Sequence, residues 1–168
     1  RCDIFIIEDY VQFVYQEYQN RTMIKTPNGV NGHANWLTVP VEGGRKRLPI
    51  SEVQIANQIC WAKQHWLTLA HSYGKAPYWK EYCSFFEETY NKGWKRLLDL
   101  NLHLIRGVMG FLGIDKDLVM ASSLGVSGQK NDLILAQLKA LGADTFLSGI
   151  GARSYLDVGR FESEGIKV

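Results

Sequence analysis

The turn Ser148-Gly149-Ile150-Gly151, followed by Arg153 and Tyr155, is the part of this chain best suited to hold an anion. Glycines leave main-chain N–H groups bare, and bare amides where a helix begins attract phosphate or carboxylate. The simpler alternative is that Gly149 and Gly151 serve only a tight turn. Ser127-Gly128-Gln129-Lys130-Asn131-Asp132 repeats the arrangement upstream, with Ser127 and Lys130 as side chains that can grip a phosphate. Here N-capping by Ser127 or Asn131 is the competing account. Two such turns on one parallel sheet carry more weight than either alone.

A second concentration of polar groups comprises Asp9, Gln12, Asn20, Arg21 and Lys25. Arg21 and Lys25 match the geometry of phosphate or carboxylate, and Asp9 supplies a carboxylate for acid/base work. Plain solvent exposure is the alternative for such residues. Trp61-Ala62-Lys63-Gln64-His65-Trp66 places a cation, an imidazole and two indoles on one predicted helix. Lys63 and His65, two positions apart, cannot share a helical face, whereas Trp61 and His65 can. His65 titrates near neutrality and is the histidine best placed to move a proton. His71 and His103 show no partner in the sequence, and His33 sits in a loop of Asn and Gly. No GxSxG elbow, Walker loop, HExxH or GxGxxG is present.

Bulk composition narrows the classes. The 168 residues suit one domain, and 19 basic against 17 acidic residues leave a net charge of +2. Arg45-Lys46-Arg47 is the densest basic run, too little for a nucleic-acid footprint. No apolar stretch approaches the ~20 residues of a membrane span, and no signal peptide opens the chain. Cys2, Cys60 and Cys83 lie far apart, with no metal-ligand spacing, and read as core residues of a reducing, cytoplasmic protein. The chain begins at Arg1 with the strand Asp3–Ile7 already under way, so a missing N-terminal segment is expected.

The elements that must position these groups follow from periodicity. Glu8-Asp9 falls at the carboxyl end of the first strand, the edge where open parallel sheets bind ligands. Arg21–Lys25 and Trp36–Val41 read as a β-hairpin around Pro27-Asn28-Gly29, followed by a mobile basic loop at Gly43–Arg47 and a short strand at Val53–Ile55. Apolar spacing predicts helices from Gln58 to Gly74, from Pro77 to Tyr90, and from about Asn91 to Leu112, the last apolar enough to be a central core helix. Leu118–Ala121, a helix from Ser127 to Leu141, Thr145–Leu147 and Ile166–Val168 complete a strand, helix, strand, helix, strand succession. The expected fold is α/β: a mostly parallel sheet with crossover helices, elaborated by the hairpin (about 20–41) and a helical insertion (about 58–112) in a single domain spanning 1–168.

Glu8-Asp9-Tyr10-Val11-Gln12-Phe13, Asn20-Arg21, Ile24-Lys25-Thr26-Pro27-Asn28-Gly29, Trp36–Val41, Lys63-Gln64-His65-Trp66 and Leu141–Leu156 together resemble the WbqC-like protein family over nearly the whole chain. Members of that family begin with a strand leading into a His-Gln-Pro or Tyr-Leu-Pro-Trp type segment, which this chain lacks. They carry two acidic residues where Glu8-Asp9 stands here. The family is encoded in bacterial surface-polysaccharide gene clusters, and the resemblance implies a part in O-antigen or lipopolysaccharide synthesis. The reaction expected is transfer of an amino acid or acyl group, for example glycine, to the amine of a nucleotide-linked amino sugar. Under that expectation Ser148, Gly149, Gly151 and Arg153 hold phosphate, with Ser127, Lys130, Lys63 and Tyr155 as further substrate contacts. Asp9, Gln12, Asn20 and Arg21 orient the sugar or acyl donor, and Lys25, His65 or Asp9 stabilise charge or move a proton. Two alternatives stand beside it: a nucleotide-activating transferase that uses ATP, and a non-catalytic sugar-nucleotide-binding or assembly protein. The expected partner is a nucleotide sugar or other small anion, without metal, nucleic acid or membrane insertion; a homodimer is left open.

Overall fold

A computed structural model describes residues 2–25, 34–43 and 47–168, with the backbone alone at Ala34 and Arg153. The expected turn at Pro27-Asn28-Gly29, His33, and Arg45-Lys46 of the basic run lie outside the described residues. In chain order the elements are β1 (Ile4–Ile7), β2 (Arg21–Lys25), β3 (Ala34–Thr38), α1 (Trp61–Tyr73), α2 (Trp79–Asn91), α3 (Leu97–Phe111), β4 (Asp117–Met120), α4 (Asn131–Ala140) and α5 (Val158–Ser163). Short 3-10 turns occupy Ile50–Glu52, Ala121–Leu124 and Ile150–Ser154. The fold class is α/β, and the chain divides into two compact units: Arg1–Asp9 with Lys116–Val168, and Tyr10–Asp115. Among the described residues no helix is long and apolar enough to cross a membrane.

The first unit joins the two ends of the chain. Ile4-Phe5-Ile6-Ile7 has the branched and aromatic side chains that favour extended backbone, and it pairs in parallel with β4, from Ile4 opposite Asp117 to Ile7 opposite Met120. Leu135 and Leu138, three apart on α4, bury one helical face against Phe161 of α5 and Ile166. Gly142, at φ 62°, adopts the left-handed conformation that stops α4. The two strands expected after it are reduced to a single parallel bridge between Thr145 and Lys167. The cause is local: Phe146 turns to stack on Phe161 with ring centroids 5.8 Å apart, Leu147 is exposed, and the backbone has only two rungs to share. Those are Phe146 N–H to the Lys167 carbonyl and Lys167 N–H to the Asp144 carbonyl. The parallel partner of β4 therefore lies more than a hundred residues upstream, in β1, rather than in the segments that follow.

The second unit is a continuous insertion. Its hairpin pairs β2 and β3 antiparallel, Arg21 opposite Thr38 and Lys25 opposite Ala34. β3 stops at Thr38 rather than Val41; Val39 N–H already donates to the Asn20 carbonyl at 2.8 Å, and Pro40 has no N–H with which to extend the ladder. Val53–Ile55 supplies isolated bridges, Val41 to Ile55 and Gln54 to Arg96. Those bridges explain why α3 begins at Leu97 and not at Asn91. Ile55 N–H donates to the Lys95 carbonyl and Leu97 N–H to the Val53 carbonyl, so the preceding backbone is spent on strand-like pairing before a helix can form. Phe13, Ile50, Val53, Ile55, Trp61, Trp94, Leu97 and Leu100 form the main core of this unit, with Ile24, Leu37 and Leu69 in a second cluster. One expectation about the core fails across the chain. None of the cysteines joins a core, Cys60 being exposed and Cys2 and Cys83 half-buried.

Candidate active site at the carboxyl edge of the parallel strands

Because β1 and β4 run in parallel register, the chain leaves both at the same edge, through Glu8-Asp9 after Ile7 and Ala121-Ser122 after Met120. Asp9 is buried, with 5% of its surface exposed. Its Oδ1 accepts from Ser122 N–H at 2.9 Å and its Oδ2 from Ser122 Oγ–H at 2.6 Å. Both carboxylate oxygens are thus committed, each bond to a charged group contributing about 1.5–3 kcal/mol. Ser122 thereby holds the Asp9 side chain in one orientation.

Glu8 stands in a different environment. It is half-buried, and its Oε2 accepts from Gln137 Nε2 at 3.2 Å, Gln137 being a nearly fully buried residue of α4. Burial pushes the Glu8 carboxyl above its ordinary value of 4.5; the Gln137 hydrogen bond pulls it down, and the neighbouring Asp9 charge pushes it up again. Two adjacent carboxyls therefore stand in different surroundings, Asp9 pinned by two bonds from Ser122 and Glu8 made more basic by burial. The sequence placed Glu8 and Asp9 together at this edge but gave a role in the chemistry to Asp9 alone. Ser122 and Gln137 were not singled out, although Ser122 follows the end of a predicted strand, where the same rule applies.

The two Ser/Gly turns belong to this unit. Gly128 has φ 155°, and a Cβ there would sit 2.9 Å from Leu133 N, so glycine is required for the chain to pass close to the first turn of α4. Lys130, at φ 51°, takes the N-cap position without a side-chain cap, and Ser127 and Lys130 are exposed. Asn131 does not cap α4 either: its Nδ2 donates to the Tyr155 carbonyl at 3.1 Å and its Oδ1 accepts from Asp157 N–H at 3.3 Å. That bridge brings the Ser127–Lys130 turn next to Tyr155. Ser148 Oγ bonds its neighbour, the Gly149 carbonyl, at 3.3 Å. The turn leads into a five-residue 3-10 helix at Ile150–Ser154 rather than into an α-helix, so no helix dipole backs its amides. Gly149 and Gly151 show neither a positive φ nor any neighbour within 4 Å of a Cβ. The tight-turn explanation for glycine therefore has no conformational basis at these two positions. The side chain of Arg153 lies outside the described residues.

The remaining candidates sit in the inserted unit. Asn20 is buried, its Nδ2 donating to the Val39 carbonyl at 3.0 Å; its Oδ1 and the Nε of Arg21 are buried without a hydrogen-bond partner among the described residues. The Arg21 guanidinium lies 4.0 Å from the centroid of the Trp36 ring, and Tyr18 lies 5.5 Å from Trp36. Lys25 is exposed, its N–H donating to Tyr73 Oη at 3.0 Å. Gln12 is exposed and bridged to Pro49. His65 is buried, its ring between the edges of Trp61 and Tyr90 at 5.2 and 5.7 Å, and its Nε2 lies 3.1 Å from the Thr38 carbonyl. A carbonyl only accepts, so Nε2 carries the hydrogen. Burial lowers the His65 pKa from 6.5 against an opposing pull from that carbonyl. Lys63 is exposed on α1, away from the buried His65.

The family model described as the WbqC-like protein family matches residues 1–168. An uncharacterized protein of Mycobacterium tuberculosis (strain ATCC 25618 / H37Rv), Rv1507c, is 31% identical over 168 residues, covering 99% of this chain and 71% of that protein. No solved structure matches. With its whole length inside the family model and a relative of this similarity, the chain belongs to the WbqC-like protein family.

Proposed function

We propose that the chain acts in bacterial surface-glycan synthesis by transferring an amino acid or acyl group to the amine of a nucleotide-linked amino sugar, with the carboxyl edge of β1 and β4 as the reacting centre. The observation that carries this reading is the half-buried Glu8 carboxyl, made more basic by burial, at the strand edge beside an Asp9 pinned by Ser122. An amine attacks an acyl carbon only as the free base, and a carboxylate of raised basicity is suited to take its proton. In this reading Glu8 removes a proton from the sugar amine as the nitrogen forms the new C–N bond to an activated acyl donor. The bond from the acyl carbon to its leaving group breaks, and Glu8 returns the proton to that group. Asp9, pinned by Ser122, helps orient the amine before attack. Ser148, Gly149 and Gly151, with Ser127 and Lys130, serve the diphosphate, since the glycines at 149 and 151 answer no conformational demand.

Ligand class is tested by thermal unfolding of the purified chain with nucleotide-linked amino sugars, the same nucleotides without a sugar, and free amino acids. A ligand of the native state present at about a hundred times its Kd raises Tm by on the order of 5 °C in a protein of this size. The expected result is a shift of that order with an amino-sugar nucleotide and a smaller one with the bare nucleotide. If no nucleotide sugar moves Tm, the reading fails.

A further inference from the structure

A cleft of about 510 Å³ between α2 and α3 lies wholly within the inserted unit and takes no part in the sheet-edge reading. Phe85 of α2, Lys92 and Trp94 of the connector, and His103 and Arg106 of α3 line it, with Asp99 as the acidic lining group. Asp99, His103 and Arg106 are spaced four and three apart, so α3 presents them on one face. Lys92 Nζ lies 4.5 Å from the Trp94 ring centroid, which holds the ammonium against the connector. Lys92 and Arg106 are exposed, and neither forms an ion pair among the described residues.

The tautomer of His103 follows from its neighbours. Its Nε2 is 2.9 Å from Thr89 Oγ1, and the single hydrogen of that hydroxyl goes to the Phe85 carbonyl at 2.7 Å. The ring must therefore donate through Nε2–H, and Nδ1 is the nitrogen that gains or loses a proton. The ring also stacks on Phe85 at 5.0 Å and 14°, fixing its plane. Two basic side chains and an oriented imidazole thus line the cleft beside one acidic residue. A monocarboxylate needs only one of those cations, whereas a phosphoryl group uses the guanidinium fork and the ammonium together.

We propose that this cleft binds a small phosphate-bearing molecule, with Lys92 and Arg106 on the phosphoryl oxygens and His103 as a third, proton-dependent contact. The charged and titratable groups facing His103 are Lys92 from the connector and Asp99 and Arg106 from α3; α2 contributes Thr89 and Phe85, which do not titrate near neutrality. Burial and then Lys92 hold His103 below its ordinary 6.5 when the cleft is free. A bound phosphate favours the protonated ring, so the contribution of His103 to binding grows as pH falls.

Isothermal titration of the full chain with inorganic phosphate and with diphosphate, at constant ionic strength and at about pH 6 and about pH 8, tests this. Saturable binding is expected, weakened about tenfold by Lys92→Gln and by Arg106→Gln, as for loss of one charge-assisted contact. The advantage of the unsubstituted protein over His103→Gln is expected to grow toward the lower pH. Both cation variants replace exposed side chains and should melt like the parent, so their effect on binding is separable from folding. Failure of both anions to saturate, or binding by the Lys92→Gln and Arg106→Gln proteins as tight as the parent's, overturns the proposal. A pH-independent effect of His103→Gln removes His103 as the third contact.

Discussion

Neighbouring side chains of the same chemistry can be set apart by burial and hydrogen bonding alone, and Glu8 and Asp9 do this one residue apart. The Glu8-Asp9 doublet was legible because it ends an apolar strand, but the separate partners of its two members were not, since Ser122 and Gln137 are more than a hundred residues away. His65 shows the same limit from the other side. Its type and its i,i+4 relation to Trp61 were visible, while the Thr38 carbonyl that takes its hydrogen belongs to the hairpin. A histidine whose folded pKa is depressed contributes stability that is present above its unfolded value, about 6.5, and is lost as pH falls through the lower folded value. His65→Gln keeps a donor for Thr38 without titrating. Melting curves across pH should show the parent losing Tm below about pH 6.5 more steeply than His65→Gln; parallel curves would show that protonation of His65 is not linked to unfolding.

At the scale of elements, the hairpin, α1, α2 and β4 were readable from period and punctuation, because local side-chain patterning decides them. The misplaced start of α3 and the missing strands at 145–147 and 166–168 were decided by backbone partners that periodicity does not reveal. Packing of α2 on α3 offers a test where two effects compete. Alanine at an interior helical glycine ordinarily gains about 1 kcal/mol, but a Cβ on Gly107 would lie 2.0 Å from Phe85 Cζ. Overpacking of that kind costs about 1–3 kcal/mol, and Phe85 is itself stacked on His103 and edge-on to Phe111. Gly107→Ala should therefore fail to stabilise the protein in denaturant titrations, with a net loss of up to about 2 kcal/mol. A stabilised variant would show that the ring moves aside freely.

At the scale of the whole molecule, the chain ends meet in one unit and the middle of the chain forms another. Contact between β1 and β4 across the insertion is the long-range fact that creates the candidate site, and no local pattern announces it. The family was legible from motifs spread along the chain, whereas the partners that shape the site had to come from the fold. The most direct test is mass-spectrometric detection of amide formation by the purified protein, supplied with an amino-sugar nucleotide and an activated acyl donor, compared with Glu8→Gln. Glutamine retains the shape that Gln137 contacts and removes a charge that burial disfavours, a penalty greatest above the folded pKa of Glu8 and absent below 4.5. The variant should thus keep or raise its Tm at neutral pH while product formation falls on the order of a hundredfold or more. Product formed at the parental rate by Glu8→Gln would contradict the assignment of the sheet edge as the reacting centre.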